Sequence, residues 1–499
     1  MVQGKRAFGK EETVKQMKEE AVFDKISLAK NTFYSALVSF SNLFLLGLLI
    51  LGGRYLGSVN YGIFTFALAF AFMFEIFTDL GLSDLSQREV ARDKELAGPY
   101  FGNLLLWKLV LSMAVFVALV LTINLLKSSP ETRLAVYLLG FATILKSFKI
   151  TCRAFFRAFE RFDLDFLTAY IERCALLATG TVVLLLGGGL ISFALIFVIV
   201  RAFDLALTLG ILNWKIVRII PKFNFTFLKK LQIKALPFGL FSIVMILYAY
   251  TDTVMLSFMR TDAEVGWYNA AYKIYEGLIV FPWIICAVLY PRLSQLFISD
   301  KNTHFLLSSK AVKYMFIISF PIIICGIMLS KNIINILFGE EFQNSVVALQ
   351  ILLGGIIFVF QIQLFQTILN SIDKQKVVMY VGLTGLVVNI FLNLLLIPKY
   401  GFKGAAATTI ASELMVFSIY YFYLHRSYFK ISIWKLSLKP FFASLIVGGV
   451  VWRFNNLSLI TLLFIILGLY LFSLFCFKTF DSKERDLIYG LARAIKGRK

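Results

Sequence analysis

The sequence predicts an all-α integral membrane protein of about 14 transmembrane helices, on three observations. First, 59% of the 499 residues are hydrophobic, only 16% are charged, and mean hydropathy is +0.81. A soluble domain carries roughly 45–50% apolar and about 25% charged residues. Second, apolar stretches of about 20 residues, the length that crosses a bilayer core, recur fourteen times. Third, Lys and Arg fall unevenly between alternate loops, as positive-inside topology requires. Disordered, collagen-like and ordinary soluble folds are excluded by the same composition.

The elements follow in order. Residues 1–29 are polar and lack an apolar core, so no cleavable signal peptide is expected. Within them, 9–27 place Glu and Lys three and four residues apart, which supports a short solvated or surface-lying helix. Spans are expected at 30–53, 61–82, 101–126, 133–154, 166–187, 190–213, 236–259, 266–290, 312–330, 346–369, 377–397, 404–424, 439–453 and 457–477. The fifth and sixth are separated only by Gly187, Gly188 and Gly189, a tight turn. The thirteenth is short and contains glycine.

Orientation follows from the basic residues. With the N-terminus in the cytoplasm, and residues at span ends counted with the adjoining loop, 36 of the 50 Lys and Arg lie on inside segments, 8 on outside loops and 6 well within spans. Both termini are therefore expected to be cytoplasmic. The net charge of +21 is explained by these loops, and no nucleic-acid motif accompanies it, so nucleic acid is not an expected partner. The five cysteines form no CxxC pair and lie in or beside apolar spans, and the two histidines, His304 and His425, are isolated in loops. No disulfide, metal site or cofactor is expected.

A weak internal repeat is visible. SVNYGIFTFALAF at 58–70 and EVGWYNAAYKIY at 264–275 share a small-residue loop leading into a helix, and GFKGAAATTIAS at 401–412 is a looser copy. Gly62 and Gly266 are 204 residues, about six spans, apart. That spacing suggests two six-span halves, a transporter pattern. Close helix packing by small residues is the alternative explanation.

Several of these stretches resemble a known family. LPFGLFSIVMILYAYTDTVMLSFMRTDAEVGWYNAAYKIYEG followed by FPWIICAVLYPRLSQLF, RYLGSVNYGIFTFA followed by FTDLGLSDLSQREVARD, and IPKYGFKGAAATTIASEL are similar to polysaccharide biosynthesis proteins. These are Wzx-type oligosaccharide flippases of the multidrug/oligosaccharidyl-lipid/polysaccharide exporter superfamily. The resemblance rests on Pro237, Asp252, Gly266-Trp267-Tyr268 with Ala270-Ala271, and Tyr290 to Ser294. It implies two pseudo-symmetric six-helix lobes, an inner cavity, alternating access, and a polyprenyl-(pyro)phosphate-linked oligosaccharide as cargo. The expected organisation is a cytoplasmic segment at 1–29, a first lobe at 30–213 and a basic cytoplasmic linker at 214–235. A second lobe at 236–424, helices 13–14 at 425–477 and a basic cytoplasmic tail at 478–499 complete it.

Thirteen ionisable residues lie more than two positions inside the span ends, and each is costly to insert, so it should face the bundle interior. Lys146, Lys149, Arg153 and Arg157, at i, i+3, i+7 and i+11, share one helix face. That stripe should line a cavity or its cytoplasmic mouth. Lys149 and Asp79 lie near the inner face, where snorkelling is an alternative. Lys108, Lys146, Arg173, Arg201 and Lys273 form a ladder of cations suited to phosphate, with Arg binding it bidentately and Lys as a point charge. Pairing of Arg201 with Asp204, or Lys273 with Glu276, is the competing role. Asp252 and Glu413 have no cationic neighbour at helical spacing and are the candidate sites for a coupling H⁺ or Na⁺. They could instead accept hydrogen bonds from hydroxyls such as Tyr248 or Thr408.

The function expected is flipping of a lipid-linked oligosaccharide across the cell membrane, without catalysis. Its partners are the lipid-linked glycan, membrane lipids and glycan-assembly proteins. A cation-coupled multidrug antiporter is the alternative within the fold, against which the first-half cations argue. A membrane glycosyltransferase or polymerase is the alternative of another class. The longest loops, of about twenty residues, carry no DxD pair or His/Asp cluster for catalysis, and the sequence has no Walker motif for ATP.

Overall fold

A computed structural model of the chain describes residues 2–127, 129–218, 223–428, 430–454, 459–482 and 484–486. The helices are α1 (Val2–Asp79), α2 (Leu82–Arg92), α3 (Ala97–Leu126), α4 (Pro130–Ala158) and α5 (Phe162–Leu185). There follow α6 (Leu190–Lys215), α7 (Phe225–Met259), α8 (Asp262–Leu278), α9 (Val280–Ser299) and α10 (Lys301–Leu337). The last five are α11 (Ser345–Ser371), α12 (Gln375–Tyr400), α13 (Phe402–Ser427), α14 (Ile433–Arg453) and α15 (Leu459–Cys476). No strand occurs among the described residues.

The helix ends obey local chemistry. Ser129 accepts a hydrogen bond from the Thr132 amide at the start of α4, with Pro130 in the first turn, where a missing N–H costs nothing. Asp300 accepts from the amides of Asn302 and Thr303 and so caps α10.

Among the described residues, twelve helical stretches are long and apolar enough to cross a membrane. The expected count of fourteen differs for identifiable reasons. The first two expected spans lie on α1, which is interrupted only at Gly57 (φ 77, ψ 169), a conformation that glycine alone enters freely. The fourteenth, expected at 457–477, is described as the shorter apolar helix Thr461–Cys476, and 455–458 lie outside the described residues. The expected eighth span is two helices, α8 and α9, with Pro282 in the first turn of α9. The expected linker at 214–235 is largely the start of α7, with 219–222 outside the described residues. Of the expected tail, 483 and 487–499 also lie outside them.

The chain divides into two compact units. The first comprises 1–56 and 67–246, and the second 57–66 and 247–499. In the first, α4 packs on α2, α3 and α6, and α5 packs on α6. Phe101, Phe155, Phe156, Leu85 and Leu212 fill its core. In the second, α11 packs on α8, α10 and α13, α12 on α13, and α14 on α10 and α15. Many large apolar side chains stay on the surface, among them Val110, Met113, Val117 and Leu121 of α3. Spaced three and four apart, they form the stripe that hydrocarbon would cover.

The glycines of the internal repeat meet in the second unit. A Cβ on Gly62 would overlap the Asp262 carbonyl and lie 2.9 Å from the Gly266 nitrogen, and a Cβ on Gly266 would overlap the Ser58 carbonyl. The two glycines thus let two backbones touch, the small-residue packing mode of membrane bundles.

Candidate functional site

The basic face of α4 is buried against acids on three other helices. Lys149 Nζ lies 2.7 Å from Glu172 of α5 and 2.5 Å from Asp204 of α6, and it donates to the Thr168 carbonyl at 3.2 Å. Arg153 donates to both oxygens of Asp165 at 2.6 and 3.1 Å, and Arg157 donates to Gln87 at 2.9 Å. Lys146 approaches Glu75 of α1 at 3.5 Å and sits 4.3 Å from the centroid of the Phe72 ring.

The other expected cations are distributed unequally. Lys108 is buried and donates to Asp79 at 2.6 Å, to Thr151 at 2.7 Å and to the Ser147 carbonyl at 2.9 Å, which uses all three of its donors. Arg201 is buried, with Nε 3.5 Å from Glu172, and its Nε and Nη1 make no hydrogen bond among the described residues. Arg173 reaches α1, where it donates to the Val38 carbonyl at 2.9 Å and to the Ser41 hydroxyl. Lys273 pairs with Glu276 at 2.6 Å on the helix surface. Of the five, Lys146 lines a cavity. That cavity has a volume of about 320 Å³ and is lined also by Glu75, Asp79, Asp84, Ser147, Ser242 and Met245. The Lys146 side chain is 31% exposed, against 3% for Lys108 and 4% for Arg201.

Sequence reasoning did not identify Lys149 as the centre of this network. Its two acids lie 23 and 55 positions along the chain, beyond any helical spacing. Arg201 meets Glu172 rather than its i+3 neighbour Asp204, which Lys149 takes.

The second unit solves the same problem differently. Asp252 of α7 is buried and accepts from Thr409 at 2.6 Å, from Tyr268 at 2.9 Å and from Asn393 at 2.6 Å. Asn393 also donates to Asn389 at 3.1 Å, and its Oδ1 has no hydrogen-bond partner among the described residues. Glu413 of α13 is buried, accepts from the Tyr275 hydroxyl, and leaves Oε2 unbonded. Tyr272 stacks between Tyr268 and Tyr275 and so joins the two acids through one aromatic row. The expected hydroxyl partners were Tyr248 and Thr408. The structure supplies Thr409, Tyr268 and Tyr275 instead. Asn389 and Asn393, an i, i+4 amide pair in an apolar helix, were the sequence signal for the rest of this cluster.

Residues 28–297, more than half of the chain, match the family model described as polysaccharide biosynthesis protein, and 237–395 match the MatE model. The putative O-antigen transporter of Shigella flexneri is 30% identical over 32% of this chain and 37% of its own. The probable low-salt glycan biosynthesis flippase Agl15 of Haloferax volcanii is 24% identical over 74% of this chain and 79% of its own. For three relatives matched by sequence, the chain spans only 43%, 37% and 35% of the relative's length. Among solved structures, lipid II flippase MurJ in an inward closed conformation superposes with a TM-score of 0.77 at 18% identity, over 92% of this chain and 100% of that one. With its apolar helices and its match across both units, the chain is a multi-pass membrane protein and belongs to the polysaccharide biosynthesis protein family.

Proposed function

We propose that this protein flips a glycan linked to a polyprenyl phosphate or pyrophosphate from the cytoplasmic to the outer leaflet of the cell membrane by alternating access. The relatives named for O-antigen transport, glycan-biosynthesis flipping and lipid II flipping support that cargo class. They are named as transporters, and the reading is transport without catalysis. The observation that carries it is Lys146. It lines the first unit's cavity, keeps about a third of its side chain accessible, and holds Glu75 only loosely at 3.5 Å. A phosphate cannot enter hydrocarbon without a counter-charge, and a loosely paired ammonium exchanges partners at little cost. Lys108, Arg173 and Arg201 add positive charge within the same unit, and Arg201 brings two unbonded donors.

The driving cation, H⁺ or Na⁺, is assigned to the second unit at Asp252, with Glu413 as the second acid. Asp252, the unbonded Asn393 Oδ1, Asn389 and Thr409 offer oxygen ligands, and no Lys or Arg competes for the carboxylate among the described residues. Both termini are placed in the cytoplasm, so cysteines at Lys229 and Lys399 should label from opposite sides.

Proteoliposomes containing a fluorescent polyprenyl-pyrophosphate oligosaccharide test the proposal. Wild-type protein should translocate it faster under a Na⁺ or proton gradient, and Lys146→Ala should lose roughly ten- to a hundredfold of that rate. Equal rates in empty and loaded vesicles would overturn it. The MatE match and the tyrosine-rich acidic cluster favour one second reading, antiport of organic cations. Gradient-driven efflux of an organic cation, with no movement of the glycan, would select it.

A further inference from the structure

A second charged cavity lies in the second unit and is lined by residues of neither cluster. Its volume is about 270 Å³, and five ammonium groups line it: Lys310 and Lys313 of α10, Lys435 and Lys439 of α14, and Lys478 just after α15. Two acids answer them. Glu484 takes Lys313 at 2.6 Å and lies 3.4 Å from Lys310, and Asp481 lies 3.5 Å from Lys310. Lys439 donates to the Lys478 carbonyl at 2.8 Å, which holds the chain after α15 against α14. Lys435 and Lys478 form no ion pair among the described residues and are exposed. Three positive charges therefore remain uncompensated around one small cavity.

We propose that this cavity binds the phosphate of an anionic membrane lipid. The cavity sits where α14, a helix long and apolar enough to cross a membrane, begins and where α15 has just ended. On α14, Trp434, Leu438 and Phe442, at i, i+4 and i+8, are 77%, 45% and 50% exposed. They give an apolar track leading away from the lysines along one helix face, with a tryptophan at its polar end, the usual interfacial position. A free phosphate would use the lysines and ignore the track, whereas a phospholipid uses both. Basic pockets between transmembrane helices recognise anionic headgroups by this chemistry. The bound lipid would fasten α10, α14 and the segment after α15 together, and the assignment is independent of which cargo is flipped.

The test uses full-length protein in detergent, titrated with dioleoyl phosphatidylglycerol, dioleoyl phosphatidylcholine or inorganic phosphate, with bound lipid counted by native mass spectrometry. Wild-type protein should retain phosphatidylglycerol at least tenfold more tightly than phosphatidylcholine, and millimolar phosphate should not displace it. The double variant Lys435→Gln/Lys478→Gln removes the two unpaired lysines and leaves the Lys313–Glu484 pair intact. It should bind phosphatidylglycerol at least tenfold more weakly, from about 1 kcal/mol for each lysine. Lys229→Gln/Lys230→Gln, an equal charge loss on α7, should leave binding unchanged. Equal weakening by both double variants would show general surface attraction and overturn the site. Displacement by phosphate alone, or no preference for the anionic lipid, would overturn it as well.

Discussion

The two units carry buried charge in opposite ways. In the first, Lys108, Lys149, Arg153 and Arg201 each lie within 3.5 Å of an acid, and the acids come from different helices. In the second, Asp252 and Glu413 are equally buried but meet only hydroxyls and an amide. An ion pair makes the charge part of the fold, since removing one partner strands the other in a medium of low dielectric. A carboxyl held by neutral donors can change its charge with a proton or a mobile cation and keep its neighbours. The first arrangement fixes helices, and the second holds its acids without committing a cation of the protein.

Breaking the first arrangement should give the largest effect. Lys149→Met leaves Glu172 and Asp204 without their shared cation and should cost about 3–5 kcal/mol of stability. Asp252→Asn should cost only about 1 kcal/mol, because most of its hydrogen bonds persist. Denaturant unfolding of the two variants in detergent measures the difference, and equal losses would erase the distinction between the units. In transport the ranking reverses. Asp252→Asn should abolish the response to a Na⁺ or proton gradient, read in proteoliposomes with and without the gradient. A response that survives in Asp252→Asn/Glu413→Gln would remove the second unit from coupling.

Lys146 sharpens the comparison within the first unit. Its exposed, loosely paired ammonium should contribute under about 1 kcal/mol to stability. Its loss should still reduce cargo affinity by about 1.5–3 kcal/mol. Lys108→Ala should do the reverse, lowering stability more than the transport rate per folded molecule. Similar profiles for the two variants would contradict the different roles assigned to them.

The smallest effect concerns an ion pair of the first unit's kind that stands in the second, Lys313 with Glu484. Burial pushes the Glu484 carboxyl up, but hydrogen bonds from Lys313, the Asp481 amide and Tyr314 outweigh it and hold it down to about 2. A depressed carboxyl contributes in full above its unfolded value, near 4.3, and the contribution is lost as pH falls through about 2. Proteolysis of the segment after α15 should therefore be unchanged between pH 8 and 5 and rise below about 4. Glu484→Gln should show the acid-state cleavage at pH 7.

The sequence by itself determined that this is a helical membrane protein. Apolar length and the scarcity of charge within it are one-dimensional properties, set by hydrocarbon thickness. It also implied that charges within spans face inward, which Glu276, half exposed, does not obey, and it marked Asp252 and Glu413 as acids without a local cation. Helical spacing correctly paired Lys273 with Glu276, since both lie on one helix. The partners of Lys149, Lys108 and Arg201 were decided by tertiary structure alone. Glu172 and Asp204 reach Lys149 only because α4, α5 and α6 bring distant segments to one point. The same packing closed Lys108 around Asp79 and left Lys146 open to a cavity, although both are lysines inside apolar spans. Insertion cost depends on residue type, which sequence records. Whether that cost is met by a neighbour or left for a ligand depends on which helices meet, and only the fold sets that.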